Sequence, residues 1–299
     1  MKISVLVPVY KCEQFIEKCC ESLFAQTLDS IEYVFISDDS PDDSINIIKN
    51  TLDKFPHRKQ YVKIATLSEN RGVAYVRNQL LKEACGEYIL YVDSDDWIET
   101  DALELLYRKA KESDAEVVSF GFYCENRKRT TIRTFSYPNI EKCLKDVIGN
   151  NWGVVWRFLF KKDIAVKNKI NFPDGLQGGE DYVFCVKYLS YARRIVTMKR
   201  PLYHYVTYNS SSLISSKNMD SLVDQFKATE IVEDFLQQQS LLCHFDKALN
   251  KRKYYVKAAI DSFLFKKWGN LFSVGCGSKC NYYLLKMKNL YSVLIGKIV

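Results

Sequence analysis

A cluster of carboxylates follows an apolar run near residue 90 and is the part of the chain best suited to chemistry. Tyr88–Val92 is apolar or aromatic throughout, which is typical of a strand buried on both faces of a parallel sheet. Three of the next four residues are acidic, at Asp93, Asp95 and Asp96. Carboxylates crowded at the C-terminal edge of such a sheet repel one another unless a cation joins them. Oxygen ligands suit Mg²⁺ or Mn²⁺, and Mg²⁺ is commonly shared with phosphates, so the sequence predicts a metal-dependent reaction of a phosphorylated substrate.

Polar residues at two other predicted strand ends could extend this site. Asp38 follows the second strand, where its carboxylate could accept a hydrogen bond from a base N–H, although the same stretch also fits a turn and helix N-cap. Asn70 and Arg77 follow the third strand, and an arginine fork near carboxylates suits a diphosphate. The alternative for Arg77 is a solvated helix arginine. The acidic triplet at 93–95 is ambiguous by itself, but Ile98 in place of a turn glycine excludes an EF-hand loop.

The first 125 residues alternate apolar strands with helices that carry apolar stripes. The predicted strands are Ile3–Val9, Ile31–Ser37, Val62–Leu67, Tyr88–Val92 and Val117–Tyr123. The predicted helices between them are Glu13–Ala25, Asp42–Phe55, Val73–Ala84 and Thr100–Ser113. This βαβαβαβαβ order predicts a parallel sheet with right-handed crossovers, which is an architecture typical of nucleotide binding.

The pattern loosens after residue 125. The elements expected there are a hairpin or edge strand at Arg127–Tyr137, helices at Ile140–Asn150 and Glu180–Tyr191, and short strands at Arg194–Met198 and Leu202–Tyr205. From about Asp220 the chain is predicted to be helical, with a break at Gly275–Gly277. We therefore divide the chain into a catalytic domain (1–215) and a helical, basic and aromatic extension (216–299).

Positive charge is concentrated at the C-terminal end. The 299 residues carry a formal net charge of +7, and residues 246–299 hold eleven Lys or Arg against two Asp. Basic and aromatic residues mix there, at Lys251–Tyr255, Phe263–Trp268 and Tyr282–Lys288. Such segments can lie on an anionic bilayer, the alternative being a helical appendage with a solvated basic face. No nucleic-acid motif accompanies the charge, so nucleic acid is not expected as a partner.

Targeting and cysteine patterns point to the cytoplasm. The apolar run that begins at Ile3 is short and has no small-residue cleavage site, and no window approaches the ~18 apolar residues of a membrane span. The ten cysteines are irregularly spaced without paired CxxC motifs, which argues against a zinc site and for reduced, buried thiols. We expect a cytoplasmic protein, with peripheral contact to the inner face of the cell membrane left open.

In order and spacing, these motifs resemble glycosyltransferase family 2, which has the GT-A fold. The matching segments, which cover roughly residues 1–205, are Ile3–Tyr10, Cys19–Thr27, Ser37–Ser44, Asn70–Gly72, Arg77 with Asn78, Gly86–Asp96 and Gly179–Asp181. The resemblance implies an α/β fold of GT-A type, with a Rossmann-like, mostly parallel sheet flanked by helices and followed by the mainly helical extension. It also implies that the catalytic domain has a nucleotide-binding half (1–125) and an acceptor-side half (126–215). The chain departs from the family at Asp39, where D-D-G-S has glycine, and at Val76, where A-R-N has alanine.

The resemblance also implies a role for each matched residue. The nucleotide base, usually uracil, would be held by Pro8, Val9, Tyr10 and Asp38. The rest of the nucleotide sugar would be lined by Asn70 and Arg77 on the base and diphosphate side, and by Asp93 and Ser94 near the ribose. Asp95 would bind the Mn²⁺ or Mg²⁺ that bridges the diphosphate. Asp181 would be the catalytic base, with Glu180 orienting the acceptor or the helix.

The expected reaction is transfer of a hexosyl or N-acetylhexosaminyl group from a nucleotide-diphosphate sugar, with UDP expected. The acceptor would be a saccharide or a lipid-linked glycan, in polysaccharide or cell-surface glycan synthesis. The metal would neutralise charge on the leaving diphosphate, and one carboxylate base on the opposite face would give inversion.

Several alternatives remain open at this point. A nucleotidyltransferase would carry a glycine-rich basic loop after its first strand, where this chain has Tyr10–Glu13. A non-enzymatic module could use the basic tail alone. The acidic pair at 180–181 could be ordinary helix N-terminal acids. His204 is either an extra metal ligand or a structural histidine, and Trp152 and Trp156 either stack on a sugar or pack in the core.

Overall fold

The computed structural model describes residues 1–150, 152–176, 178–209 and 219–272, with side chains described up to residue 263. The strands are β1 (Ile3–Val9), β2 (Ile31–Ser37), β3 (Val62–Thr66), β4 (Tyr88–Tyr91), β5 (Trp97–Ile98), β6 (Val117–Glu125), β7 (Thr130–Arg133), β8 (Phe158–Lys161) and β9 (Ile195–Val206). The α-helices are α1 (Ile16–Phe24), α2 (Ser44–Asp53), α3 (Val73–Glu83), α4 (Ala102–Glu112), α5 (Ile140–Gly149), α6 (Lys162–Lys167), α7 (Glu180–Tyr191), α8 (Met219–Gln238) and α9 (Leu242–Phe272). Short 3₁₀ helices lie at Pro56–Tyr61 and Val155–Arg157.

The first four strands form the parallel half of one mixed sheet. β1 pairs in parallel with β2 and β4, and β2 pairs in parallel with β3. Every residue of β2 and β4 is buried, and only Pro8 of β1 is partly exposed. Burial on both faces explains the unbroken apolar runs, because helices cover both sides of the sheet. The C-terminal ends of β1, β2 and β4 consequently meet at one edge.

The predicted fifth strand does not lie beside the fourth. The strand order is β3-β2-β1-β4-β8-β6-β9-β5, with β7 paired to β6. β8 lies between β4 and β6 and is antiparallel to both. Two antiparallel steps restore the direction, so β6 still runs the same way as β4, as the βαβ pattern predicts. The sequence analysis missed β8 because four residues, however apolar, give no periodic signal of their own.

The two short strands predicted at 194–205 are one continuous strand. β9 runs from Ile195 to Val206 in parallel with β6, with a register shift around Gly121. Pro201, between the two predicted strands, lies opposite Gly121 at this irregularity, where a missing N–H is tolerated. The hairpin expected at 127–137 is confirmed, since β7 is antiparallel to β6.

Alternate residues of the central strands enter two hydrophobic clusters on opposite faces of the sheet. One cluster takes Leu6, Ile89 and Tyr91 and packs them against α3, α5 and α7. The other takes Val5, Val7 and Leu90 and packs them against α1 and α4. The cysteines expected to be buried hydrophobes, Cys19, Cys20 and Cys185, are free and buried. This layered α/β arrangement confirms the predicted fold class.

The described part of the C-terminal extension packs on α5 and α7. Ala228, Val232 and Leu236 of α8, with Phe245 and Leu249 of α9, belong to the same cluster as α5 and α7. Among the described residues, no helix combines the length and the apolar character that crossing a bilayer requires. The break predicted at 275–277 and the basic segment 282–288 lie outside the described residues. The division at residue 215 stays a prediction.

Candidate active site

The ends of β1, β2 and β4 bring the predicted loops together. The Asp38 N–H donates to the Val9 carbonyl at 3.0 Å, and the Val92 N–H donates to the Leu6 carbonyl at 3.0 Å. These bonds lie on either side of β1, so the segments leaving β2 and β4 flank its end. Asp38 therefore follows β2 and the carboxylates at 93–96 follow β4, and both of these strands pair with β1.

Asp38 ties the end of β2 to the start of α3. Its carboxylate accepts the N–H of Arg71 at 2.7 Å and the N–H of Gly72 at 2.9 Å. Its carbonyl accepts the Asn70 side-chain amide at 3.1 Å. Asp38 is 4% exposed, so it fixes the loop that precedes α3 and thereby the helix that carries Arg77. Direct contact of Asp38 and Asn70 with a base stays a prediction.

The loop after β2 keeps the shape that a glycine would favour. Asp39 adopts φ +54°, in the left-handed region that Asp tolerates better than most residues. The departure from D-D-G-S at this position therefore leaves the backbone conformation accessible. On the neighbouring strand end, Val9 is buried whereas Tyr10 is 43% exposed, with the Lys11 ammonium 5.0 Å from its ring centroid. The base-binding roles of Pro8, Val9 and Tyr10 stay predictions.

Arg77 is the junction of the predicted site. Its Nη1 atom donates to Glu180 Oε1 at 2.7 Å and to Asp181 Oδ1 at 2.6 Å, and its Nη2 atom donates to Asp93 Oδ1 at 2.9 Å. The Arg77 side chain is only 5% exposed. A solvated helix arginine is thereby ruled out. The one guanidinium joins β4, α3 and α7, and it places the predicted catalytic acids beside the predicted nucleotide-binding acids.

The chain turns sharply before the two acids of α7. Gly179 has φ +87°, and a Cβ at this position would lie 2.7 Å from the Ala228 Cβ of α8, so only glycine fits. Glu180 and Asp181 then occupy the first helical turn, where the helix dipole favours negative charge. Asp181 Oδ2 also accepts the Val155 N–H at 3.1 Å. The Asp181 carboxylate is therefore held from two sides.

The Asp181 carboxyl has the acidity of a general base that works near neutral pH. Burial raises its pKa to about 7, with Glu180 and Asp93 adding to the rise and Arg77 opposing it. A carboxyl with its ordinary pKa near 4 would be a weaker base. Such a perturbed group at a strand-edge cluster is a candidate functional residue, as the sequence predicts.

Asp95 and Asp96 are adjacent but have different surroundings. Asp95 Oδ2 accepts the Asn209 side-chain amide at 2.8 Å, and burial, with the Asp93 charge, raises the pKa of Asp95 to about 6. Asp96 is buried and accepts the Tyr203 hydroxyl and the Val206 N–H, each at 2.7 Å. Asp96 therefore fastens the end of β9 to this loop. Within the described residues, Asp95 accepts a side-chain hydrogen bond on Oδ2, so its carboxylate can still bind a ligand.

The residues around Asp95 fit a metal that takes most of its ligands from the substrate. In the described part of the chain, no three His, Cys, Asp or Glu side chains are grouped to hold a metal ion. Asp93 is engaged by Arg77 and both oxygens of Asp96 are used. Mg²⁺ is commonly bound by one or two carboxylates together with phosphates and water. Asp95 can supply that carboxylate, but an all-protein metal cage does not fit. Ser94, half-buried, contacts the Cys12 thiol.

The His204 ring lies between two carboxylates and two aromatic rings. Its Nδ1 lies 2.8 Å from Glu125 Oε1 and its Nε2 lies 3.0 Å from Glu99 Oε1. Its ring is stacked between Trp97 and Tyr123, at centroid distances of 4.8 and 4.4 Å. Both ring nitrogens are thus engaged by carboxylates, which favours the structural interpretation over metal binding.

Of the two tryptophans, Trp156 packs in the core, whereas Trp152 is exposed enough to stack on a sugar. Trp156 is buried and stacks on Tyr203 at 4.6 Å and on Tyr205 at 5.2 Å, so it is a core residue. Trp152 is partly exposed, contacts Phe122 at 5.2 Å and lines a cavity. Only Trp152 remains available to a ligand.

Sequence reasoning missed three contributors to this site. Asn209 contacts Asp95, the Val155 N–H holds Asp181, and the Tyr203 hydroxyl accepts the Asp93 N–H at 3.1 Å while donating to Asp96. Asn209 and Tyr203 are more than 100 residues from their partners, and a backbone N–H carries no sequence signal. The one available clue was the run of polar residues from Thr207 to Asn209 that follows the last predicted strand.

Comparison with known proteins identifies the class of enzyme. The family model "Glycosyl transferase family 2" matches residues 4–171, and the chain belongs to that family. The chain is 30% identical over 256 residues to EpsH of Bacillus subtilis, which is named as a glycosyltransferase, covering 83% of this chain and 73% of that protein. It is 29% identical to TarP of Staphylococcus aureus, a poly(ribitol-phosphate) beta-N-acetylglucosaminyltransferase, covering 70% of this chain and 63% of TarP. The predicted family and enzyme class are confirmed: the chain is a glycosyltransferase.

Solved structures confirm the fold. Residues 1–349 of S. aureus TarS in complex with UDP-GlcNAc align with a TM-score of 0.69 at 23% identity, over 84% of this chain and 72% of that chain. A mannosyltransferase from Pyrobaculum calidifontis, in complex with GDP-Man and Mn²⁺, aligns with a TM-score of 0.58 at 16% identity, over 98% of this chain and 80% of that chain. At these identities the likeness is one of fold alone.

Proposed function

We propose that this glycosyltransferase transfers a hexosyl or N-acetylhexosaminyl group from a UDP-sugar to a saccharide or lipid-linked glycan by single, inverting displacement. The observation that carries the proposal is the ion cluster in which Arg77 joins Asp181 to Asp93, next to Asp95. It supports one cleft that holds both the donor and the base, because Asp93 and Asp95 follow the central strand β4 and Asp181 lies on α7, which Arg77 joins to that strand end. The UDP-GlcNAc bound to TarS and the reaction named for TarP favour UDP and a cell-surface glycan.

The protein's own groups would perform three tasks. Asp181, deprotonated at and above about pH 7, takes the proton of the acceptor hydroxyl as that oxygen attacks the anomeric carbon. The Val155 N–H and Arg77 hold this carboxylate in one orientation, which reduces the entropy lost in reaching the transition state. Glu180 shares the Arg77 guanidinium and keeps the first turn of α7 in place.

The donor side would use the neighbouring loops. Pro8, Val9, Tyr10, Asp38 and Asn70 form the base-binding side, and Asp93 and Ser94 lie near the ribose. Asp95 would hold Mn²⁺ or Mg²⁺, which when bound would neutralise charge on the leaving diphosphate. Arg77 adds positive charge on the same side, although three carboxylates already share it.

The proposal also includes the cellular location, the domain boundaries and the partners of the enzyme. We place the enzyme in the cytoplasm, in polysaccharide or cell-surface glycan synthesis, with nucleic acid excluded as a partner. The catalytic domain is residues 1–215, and the basic extension (216–299) is the candidate for peripheral contact with the inner face of the membrane. The family match favours glycosyl transfer over nucleotidyl transfer, the rival class.

A thermal-shift screen tests the donor assignment. UDP, GDP, UDP-glucose and UDP-N-acetylglucosamine are each compared with and without Mn²⁺, since a ligand that binds only the folded state raises the apparent melting temperature. We expect the uridine compounds to stabilise the protein, and Mn²⁺ to increase the shift. Equal shifts with GDP, or none with any nucleotide, would contradict the UDP-sugar assignment.

A further inference from the structure

A cavity of about 300 Å³ lies outside the Arg77 cluster. It is lined by Phe135, Asp146, Asn150, Trp152 and Tyr255. Its volume is at the lower end of the roughly 300–1,000 Å³ typical of small-molecule sites. We propose that this cavity binds an uncharged sugar ring of the glycan acceptor, and that α9 of the C-terminal extension supplies part of the acceptor site. The inference rests on the proposed function and deepens it.

The cavity is joined to the proposed base by one short segment. Trp152 lines the cavity, and the N–H of Val155, three residues later, holds Asp181 Oδ2 at 3.1 Å. Three residues of extended chain span at most about 11 Å. Gly153 between them packs so closely that a Cβ there would meet Tyr182 Cα at 3.3 Å. The segment therefore lies against the start of α7, and a short oligosaccharide could reach from the cavity to the base.

The lining combines aromatic and polar groups in the manner of a sugar site. Trp152 and Tyr255 offer flat apolar surfaces for the C–H faces of a sugar ring, and Phe135, whose ring centroid lies 4.0 Å from the Arg157 guanidinium, completes the aromatic wall. Asp146 and Asn150 offer oxygen and nitrogen atoms for its hydroxyl groups. Small-molecule sites have this composition, mostly apolar or aromatic walls with a few placed polar groups. Tyr255 is 43% exposed, so its ring is accessible from solvent.

The polar groups of the cavity are held in place by a chain of hydrogen bonds. Lys251 Nζ donates to Asn150 Oδ1 at 2.8 Å, and Asn150 Nδ2 donates to Asp146 Oδ1 at 2.5 Å. The Tyr137 hydroxyl donates to Asp146 Oδ2 at 2.5 Å, and the fully buried Arg157 donates to that hydroxyl at 2.9 Å. The Asp146 oxygens each retain a further acceptor position.

The fixed acceptor groups favour an uncharged occupant. A sugar hydroxyl can donate to Asp146, whereas a phosphate would meet its negative charge. Among the described residues, the hydrogen-bond donors to the Asp146 carboxylate are the neutral Tyr137 and Asn150 side chains, whereas the Lys251 ammonium donates to Asn150 and Arg157 donates to Tyr137. The chemistry of the cavity therefore selects the sugar part of a glycan over an anionic part.

The extension is needed to complete the cavity. Tyr255 and Lys251 belong to α9, and Leu249 of that helix lies in the same hydrophobic cluster as Val147 and Ile148 of α5. The wall contributed by α9 is thus anchored on the helix that carries Asp146. This gives the described part of the extension a role in acceptor binding that is separate from any membrane contact.

Saturation-transfer NMR on the full-length protein tests the proposal. The probes are glucose, galactose, mannose and N-acetylglucosamine at millimolar concentration, with ribitol 5-phosphate as the anionic comparison. We expect saturation transfer to at least one neutral sugar and a markedly weaker signal from ribitol 5-phosphate. Tyr255→Ala and Trp152→Ala should each weaken sugar affinity about tenfold through loss of ring contact. Tyr254→Ala is the matched control, because Tyr254 is 69% exposed on the same helix and does not line the cavity.

The outcomes separate this inference from the donor assignment. Absence of transfer to every neutral sugar, or equal signals from the Tyr255→Ala and Tyr254→Ala proteins, would overturn the cavity assignment. A stronger signal from ribitol 5-phosphate would overturn it in favour of an anionic ligand. The Mn²⁺-dependent UDP shift is measured on the same samples. If that shift persists while sugar binding fails, the proposed function stands and the cavity assignment falls. If sugar binds but UDP gives no shift, the UDP-sugar assignment falls and the cavity remains a sugar site.

Discussion

Arg77 on α3 and Asp181 on α7 are 104 residues apart in the chain, yet Arg77 Nη1 lies 2.6 Å from Asp181 Oδ1. The same guanidinium reaches Asp93 at the end of β4 through its other terminal nitrogen. A single buried cation therefore couples the proposed base to the proposed donor site. One positive charge serves three carboxylates, so the cluster carries excess negative charge, and several of its properties should depend on pH.

Transfer activity should depend on the ionisation of Asp181. A general base works only when deprotonated, and the pKa of Asp181 is raised to about 7, so kcat/KM should rise with pH and level off above about pH 7. Asp181→Asn should lower transfer by at least about 100-fold while leaving the UDP-induced thermal shift intact. Asp53→Asn, at an exposed carboxylate, is the control. A pH profile that is flat across neutrality would assign the base to another group.

Ionisation of Asp181 should raise transfer activity but lower the stability of the fold. A folded pKa above the unfolded value near 3.8 means that the folded state binds more protons, so stability is lost as pH rises from about 4 through about 7. Asp181→Asn should therefore stabilise the protein by up to ~4 kcal/mol in alkaline solution, because each of the roughly three pKa units between the unfolded and the folded value corresponds to about 1.4 kcal/mol. The gain should shrink as the pH falls below about 7 and vanish at about pH 4. Urea unfolding at both pH values measures it, and a pH-independent gain would contradict the electrostatic cause.

Removal of Arg77 should be strongly destabilising. Arg77→Met leaves three carboxylates without their shared cation, and loss of one partner from a buried ion pair costs ~3–5 kcal/mol. Arg108→Met is the matched control, because its pair with Glu112 is exposed and should be worth less than ~1 kcal/mol. Urea unfolding of both variants tests this. Equal losses from the two would show that burial does not govern the Arg77 cluster.

Metal dependence should reside in Asp95. Asp95→Ala should abolish the part of the UDP thermal shift that requires Mn²⁺, since this carboxylate can supply an oxygen to the ion. Asp96→Asn, which preserves size at a buried position bonded to Tyr203 and Val206, should instead lower stability and keep a metal response. Chelator should reproduce the Asp95→Ala result in the parent protein. A full Mn²⁺-dependent shift in the Asp95→Ala protein would exclude the assignment.

The loop after β2 should accept glycine and reject a branched residue at position 39. Asp39 has φ +54°, which costs little for glycine and roughly 1–2 kcal/mol for most residues. Asp39→Gly should leave stability essentially unchanged and UDP affinity within about a factor of two of the parent value. Asp39→Val should lower stability by ~1–2 kcal/mol. Circular dichroism melts and UDP titration check both variants. A loss on glycine substitution would mean that the Asp39 side chain, rather than its backbone, shapes the loop.

The local pattern of the chain was enough to predict most of the α/β half. All the strands and helices predicted before residue 125 are present, with ends shifted by at most three residues. A strand buried on both faces of a parallel sheet has an unbroken apolar run, and a helix packed on the sheet has a periodic apolar stripe. These elements can therefore be predicted from the local sequence, without knowledge of their partners. The placement of Asp38 and Asp93 at strand ends follows directly, and the family resemblance added Asp181.

The amino-acid sequence by itself determined which groups are acidic or basic, which strands are buried, and the class of enzyme. Tertiary structure decided which of those groups meet: that Arg77 binds three carboxylates, that Asn209 reaches Asp95, and that β8 separates β4 from β6. It also decided that His204 is occupied by Glu99 and Glu125 and that α9 forms one wall of the Trp152 cavity. Periodicity reports how a residue sits relative to its own element, whereas contacts across more than 100 residues depend on how all the elements pack at once.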